Sequence, residues 1–163
     1  MFSIFPWSHR RKEFYVKIVD HRANAMILDY LRGKSSPTIL ANIAPESELA
    51  YTDHTHPELA NLLRAISRDL PSHQTTYVYG FLVVANQQGV ICAAAISMIT
   101  LAFRLPEQAQ IEASQQGARA MSSIGEGWLE FNPWKPRVSD QDRIEIFRAW
   151  CEKAYVYISE MIS

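Results

Sequence analysis

The stretch LPSHQTTYVYGFLVVANQQGVICAAAISMITLAF, residues 70–103, contains no Asp, Glu, Lys or Arg, although these four residues make up 20% of the chain. Burying an unpaired charge is costly, so a long run without one is typical of a segment that the rest of the fold encloses. We therefore predict that residues 70–103, which we call the charge-free segment, form the centre of the core.

The secondary structure of the charge-free segment has two interpretations. β-Branched and aromatic residues at 75–84, followed by the turn sequence Asn86-Gln-Gln-Gly89, favour a β-hairpin near residues 75–96. The alanines at 93–95 and Met98 favour a helix, and a hairpin without further strands makes a poor sheet. We favour two buried helices at 73–88 and 90–104, and keep an α+β fold as the alternative.

The sequence on either side of this segment is typical of amphipathic helices. Thr55 with Glu58 resembles a capping box, and Ser139 with Asp142 is a second capping arrangement. The apolar spacing and the Pro and Gly stops predict helices at 12–31, 37–45, 57–70, 106–123 and 140–162. Together these elements predict a compact all-α bundle of about six helices, with the charge-free helical hairpin at its centre.

Length and composition restrict the class of protein. A chain of 163 residues fits one globular domain, residues 1–163, with residues 1–10 as a flexible or docking segment. The net charge of −1 argues against nucleic acid as a partner. Neither Cys92 nor Cys151 lies in a short-spaced pair, so we predict structural roles for both and a cytoplasmic location.

Two apolar features allow contacts beyond the fold. The aromatic residues of Phe2–Trp7 precede the basic residues Arg10–Lys12, a pattern that suits either a membrane interface or packing on the protein itself, and we favour the second. The last predicted helix carries an extra apolar stripe formed by Ile146, Trp150 and Tyr157. A stripe wider than one contact needs is compatible with a homodimer.

The densest group of potential metal ligands is Asp53, His54 and His56. Imidazole and carboxylate groups bind zinc and similar ions, so these residues support an alternative function as a metal-dependent hydrolase or nuclease. All three are local in sequence, and no distant His or Cys offers an obvious fourth ligand. We predict no catalytic residues, no metal and no cofactor.

A stoichiometric protein-binding role is therefore the function that we expect, such as that of an immunity protein, an adaptor or a secretion chaperone. Aromatic residues in a Pro-containing loop resemble interface hot spots, and acidic residues near the start of a helix would complement a basic partner. The predicted contact residues are Trp128, Phe131, Trp134, Glu46, Glu48, Asp53 and Glu58. A further alternative is a helical sensor whose apolar centre around Tyr77, Phe81, Met98 and Phe103 binds a small ligand.

Overall fold

The computed structural model describes residues 16–36 and 55–161, which form a six-stranded antiparallel sheet with helices on both faces. The strands are β1 Gln74–Val78, β2 Phe81–Ala85, β3 Ile91–Ile96, β4 Thr100–Arg104, β5 Arg119–Ala120 and β6 Trp128–Phe131. Their order across the sheet is β1-β2-β3-β4-β6-β5. The helices are α1 Ala25–Lys34, α2 Pro57–Ser67, α3 Glu107–Gln115 and α4 Asp140–Glu160.

The fold is α+β, so the predicted all-α bundle is wrong. The charge-free segment forms β1 to β4, and not two helices at 73–88 and 90–104. Its burial was inferred correctly, because almost every residue of β2, β3 and β4 is enclosed. The observed α+β class is the alternative prediction, but the sheet has six strands, whereas the alternative had a single hairpin.

Packing on both faces explains why the strands were missed. Leu82 and Val84 belong to the core shared with α2 and α4, whereas Phe81 and Val83 belong to the core shared with α1. A strand that is buried on both sides shows no alternation of polar and apolar residues. The alanines 93–95 lie in β3 in the middle of the sheet, where Ala93 and Ala95 belong to the core shared with α4 and Ala94 to the core shared with α1, so small side chains let α4 pack against the strand.

Two tight turns fix the register of the hairpins. Tyr79 and Gly80 connect β1 to β2 with φ values of +53° and +90°, the left-handed geometry that two-residue hairpins require. The next turn is the one that the sequence predicted for the hairpin alternative. Its Asn86 side-chain oxygen accepts hydrogen bonds from the amides of Gln88 and Val90.

A buried asparagine ties the N-terminal region to this second turn. Asn24 is fully buried at the start of α1. Its side-chain nitrogen Nδ2 donates to Ile18 O at 2.9 Å and to Gly89 O at 2.7 Å. Its side-chain oxygen accepts from the amide of Ile91 at 2.9 Å. These bonds hold the chain before α1 against the end of the β2–β3 hairpin.

Helix boundaries correct several predictions. Helical residues 16–20 are separated from α1 by a 3-10 turn at Arg22–Asn24, so the predicted helix 12–31 is broken near His21. The predicted polar helix 106–123 ends at Gln115, because Gly117 turns the chain with a φ of +97° and β5 follows. The Ser139 cap of α4 is confirmed by its hydrogen bond from the Asp142 amide. The predicted helix 37–45 and segment 1–10 lie outside the described residues.

The predicted capping box at Thr55 is wrong, because His56 is the N-cap of α2 and its Nδ1 accepts from the Glu58 amide. Thr55 is buried and bonded to the sheet. Its hydroxyl accepts from the Leu82 amide at 3.1 Å and donates to Ala95 O at 3.0 Å. This residue therefore joins the start of α2 to strands β2 and β3.

Candidate functional site

A groove of about 800 Å³ opens where β6 meets the turn between α3 and β5. We call it the edge groove. Its apolar wall is formed by Phe131, Ile146 and Phe147, from β6 and α4. Its polar wall is formed by Arg119, Glu130 and the loop after β6, which includes Lys135. β5 has only two residues and pairs with β6 at Glu130 and Leu129, so this side of the sheet is short of a full partner strand.

Large apolar side chains are exposed at and beside the edge groove, which Ile99 lines, and we call this margin its rim. Met98 is 61% exposed and Ile99 is 51% exposed, and both lie in the turn between β3 and β4. Ser97 begins this turn with a φ of +60°, which takes the chain out of the strand before Met98. The side chains that follow therefore face solvent and not either core.

Trp134 is half-buried in the loop between the groove-lining residues Asn132 and Lys135; it completes the rim and is held from several sides. Its indole nitrogen donates to Met98 O at 3.0 Å, and its amide donates to the Asn132 side chain at 3.0 Å. The guanidinium of Arg143 lies 5.4 Å from the indole centroid and donates to Pro133 O and Pro136 O. An aromatic side chain fixed in this way loses little conformational entropy when it contacts a partner.

The charges of the edge groove are mixed. Arg119 and Glu130 form an ion pair with an N–O distance of 2.8 Å across β5 and β6. The Arg119 side chain is largely exposed, so the pair contributes little to stability. Lys135 is exposed beside it. With one carboxylate and two basic side chains, the polar wall favours an acidic group on a ligand.

The structure separates the predicted contact residues. Trp128 and Phe131 are 3% and 6% exposed, and the Phe131 ring packs against Phe147 and Trp150. Trp134 is half-buried and packs against the core, and Glu58 is exposed in the first turn of α2. Glu46, Glu48, Asp53 and the neighbouring His54 lie outside the described residues.

The start of α2 and the loop that carries Trp134 both contact the β3–β4 turn. The amide of His56 donates to Ser97 O at 3.1 Å, and Thr55 pairs with Ser97 in a parallel bridge. The start of α2, which carries Glu58, therefore lies beside the turn that supplies Met98 to the Trp134 rim. Met98 and Ile99 were predicted to lie in a buried helix, whereas both are exposed in this turn. No motif in the sequence marks Arg119 or Lys135 as groove residues.

The proposed sensor centre does not exist as a single site. Phe81 belongs to the core on the α1 face of the sheet, and Phe103 belongs to the core on the α4 face. Met98 is exposed at the rim. Residues that helical spacing would have placed together are thus distributed over both faces of a sheet and its end.

The two cysteines are buried and close together, although 59 positions separate them in sequence. Hydrogen bonding to Cys151 and burial raise the pKa of the Cys92 thiol well above its usual range. A thiol of this kind stays protonated at neutral pH, whereas a nucleophilic cysteine needs a lowered pKa. Burial also raises the pKa of the neighbouring Tyr155.

Within residues 16–36 and 55–161, no group of three or more His, Cys, Asp and Glu side chains is arranged to hold a metal ion. The same residues include no helix with the length and apolar character needed to cross a membrane. Comparison with family models, curated proteins and solved structures finds no significant match.

Proposed function

We propose that the protein is a non-enzymatic protein-binding module and that the edge groove, with the rim of Met98, Ile99 and Trp134, is its contact surface. The exposed side chains of Met98 and Ile99 next to the groove support this proposal most directly. Exposed apolar side chains that cluster around a concave surface are typical of protein interaction sites. An immunity protein, an adaptor or a secretion chaperone would each use such a surface.

The partner would supply an apolar side chain and an acidic group. Ile146, which is half-buried in the groove wall, would contact and dehydrate an inserted side chain, whereas Phe131 and Phe147 in the same wall are buried. Lys135 and the outer face of Arg119 would pair with a carboxylate at the groove's edge. Trp134, already fixed by Arg143 and Met98, would contribute contact area without first having to be ordered.

Site-specific photo-crosslinking in the native cell tests the proposal. A benzophenone amino acid placed at Met98 is expected to give one discrete adduct of 1:1 stoichiometry. The matched control is the same probe at Ile111, an equally exposed apolar residue on α3, outside the edge groove. Absence of an adduct from Met98, or the same adducts from Ile111, would contradict the assignment of this surface.

Binding measurements with the captured partner give a second criterion. Met98→Asp is expected to weaken binding about tenfold or more, because it places a charge at a dehydrated apolar contact. Ile111→Asp should leave the affinity unchanged. Thermal unfolding of both variants checks that they are folded, as expected for substitutions at exposed positions.

A further inference from the structure

The outer edge of β5 leaves a backbone position open to a further strand. β5 lies at one end of the sheet, and both of its residues are exposed. The Met121 amide donates to Trp128 O at 2.8 Å, and Arg119 lies opposite Glu130. Hydrogen-bonded pairs alternate with non-bonded pairs along an antiparallel ladder, so the amide and carbonyl of Ala120 point away from β6.

The outward groups of Ala120 can bind the main chain of a partner. In the part of the chain that the structure describes, neither its amide nor its carbonyl bonds to another residue. The Ala118 amide donates to Ala113 O at 3.0 Å, so the end of α3 covers this edge only as far as Ala118. β5 contains no proline or lysine, two residues that commonly protect sheet edges. Because β5 is short, a pairing segment would depend on the edge groove for the rest of its affinity.

The open edge adjoins the edge groove. Gly117 and Arg119 line the groove, as does Phe131 in the neighbouring strand β6. A Cβ atom on Gly117 would meet no heavy atom within 4 Å beyond its chain neighbours, so the space beside this residue is free. Ile99 lines the same groove on the side of the rim. One extended segment can therefore pair with β5, pass Gly117 and enter the groove.

Arg119 determines the charge that such a segment needs. Its side chain is 81% exposed, and its ion pair with Glu130 uses Nη2. A guanidinium carries five N–H groups, so others remain for a second carboxylate. Lys135 is exposed on the same groove and adds another positive charge. An Asp or Glu side chain in the segment would complement both.

A second copy of this chain would suit the edge less well than an acidic partner. Two β5 strands that paired antiparallel about Ala120 would place their Arg119 side chains diagonally on one face, about 7–8 Å apart. Like charges at this distance repel. The residue opposite each arginine would be Met121, which has no carboxylate to offset the repulsion. The charges thus favour a different protein as the source of the segment.

We propose that the partner contributes an extended segment that adds a strand to the sheet at β5. Its main chain bonds to the amide and carbonyl of Ala120, an acidic side chain pairs with Arg119, and an apolar side chain enters the edge groove. Strand addition of this kind is a common way to recognise peptide segments. The inference rests on the proposed protein-binding function and names the form and charge of the partner segment.

Hydrogen exchange at single amides tests the strand pairing directly. In the free chain the Ala120 amide should exchange rapidly, whereas the Met121 amide is protected by Trp128 O. In the purified covalent adduct obtained with benzophenone at Met98, exchange of the Ala120 amide should be about tenfold slower or more. An adduct in which Ala120 exchanges as in the free chain would support partner binding but overturn the added strand.

A proline at the open position provides the second test. Ala120→Pro removes the outward amide without removing a bond of the sheet, and edge strands tolerate proline. The yield of the Met98 adduct should fall about tenfold or more, because the proline ring occupies the place of a pairing strand. Ala120→Ser keeps the amide and should give the unmodified yield, and thermal unfolding checks that both variants are folded. Full yield from Ala120→Pro would refute the pairing, whereas no adduct even from the unmodified chain would contradict the protein-binding function as well.

Charge reversal tests the acidic side chain of the partner. Arg119→Glu should lower the adduct yield about tenfold, because it places a carboxylate opposite the partner's own. The matched control is Arg137→Glu, which makes the same change in net charge at an exposed arginine that does not line the groove. An equal loss in both variants, or no loss in Arg119→Glu, would overturn the predicted contact with Arg119.

Discussion

Asn24→Ala tests whether the fold depends on the contact between the N-terminal region and the β2–β3 turn. The substitution removes three hydrogen bonds, to Ile18 O, Gly89 O and Ile91 N, at a fully buried position. Ile18 O keeps the His21 amide as a donor at 3.3 Å. The Ile91 amide and the Gly89 carbonyl lose the Asn24 side chain and gain nothing in its place.

The expected loss follows from these two groups. A buried donor or acceptor without a partner costs about 1–3 kcal/mol, so two of them should lower the free energy of unfolding by about 2–6 kcal/mol. With a urea dependence of about 2 kcal/mol/M, the unfolding midpoint should fall by about 1–3 M. Hydrogen exchange of the Ile91 amide should also become faster, because its acceptor is gone.

A matched control separates this effect from the general consequence of replacing asparagine by alanine. Asn61 is exposed on α2, where alanine is also the better helix former. Asn61→Ala should therefore change stability by less than about 0.5 kcal/mol. If Asn24→Ala costs no more than this control, or if Ile91 exchanges at an unchanged rate, the Asn24 contacts do not stabilise the fold as argued.

Two further predictions concern the sheet and its cysteine. Thr55→Val keeps the side-chain shape but removes the hydroxyl that bonds the Leu82 amide and the Ala95 carbonyl. The free energy of unfolding in urea should therefore fall by about 2 kcal/mol. Thr55→Ser keeps the hydroxyl and should lose less than half of that. Folding raises the pKa of the Cys92 thiol, so the unfolded chain releases this proton first as pH rises. The free energy of unfolding should therefore fall above about pH 9, by up to about 1.4 kcal/mol per pH unit. Cys92→Ala should show a shallower decline in the same pH titration of unfolding, and an identical slope would refute the attribution to this thiol.

The parts of the fold that sequence predicted are those whose signal is local. Ser139 caps α4 through the Asp142 amide, and α2 begins at Pro57, because caps and helix starts are decided within a few residues. The turn at Asn86 is also local, since one side-chain oxygen receives two nearby amides. These elements needed no knowledge of the rest of the chain.

The sheet was not predictable in the same way, because its pattern depends on what covers it. Residues 91–96 are buried throughout, and three consecutive alanines in isolation favour a helix. Only the presence of α4 on one face and α1 on the other explains why small residues suit a central strand here. The misassigned strands follow from tertiary packing and not from unusual local chemistry.

Among the predicted contact aromatics, burial depends on strand pairing that the sequence does not reveal. Trp134 was predicted as a contact residue from its aromatic, Pro-containing loop, and in the structure it is half-buried and packs against the core. Trp128 and Phe131, taken from the same loop, begin and end β6 and are buried. The burial differs because β6 pairs with β4 along its whole length, whereas Trp134 lies past the end of the strand.

The position of the exposed rim follows from this architecture. Most large apolar side chains of the charge-free segment enter one of two cores, because helices cover both faces of the sheet. The turn from Ser97 to Ile99 projects beyond those layers, so Met98 and Ile99 have neither core to enter. The start of α2 and the Trp134 loop converge on the same turn through Ser97 O and Met98 O. Covering this apolar area with another surface would remove it from water, which is a favourable change, and this is the physical reason for proposing partner binding at this end of the sheet.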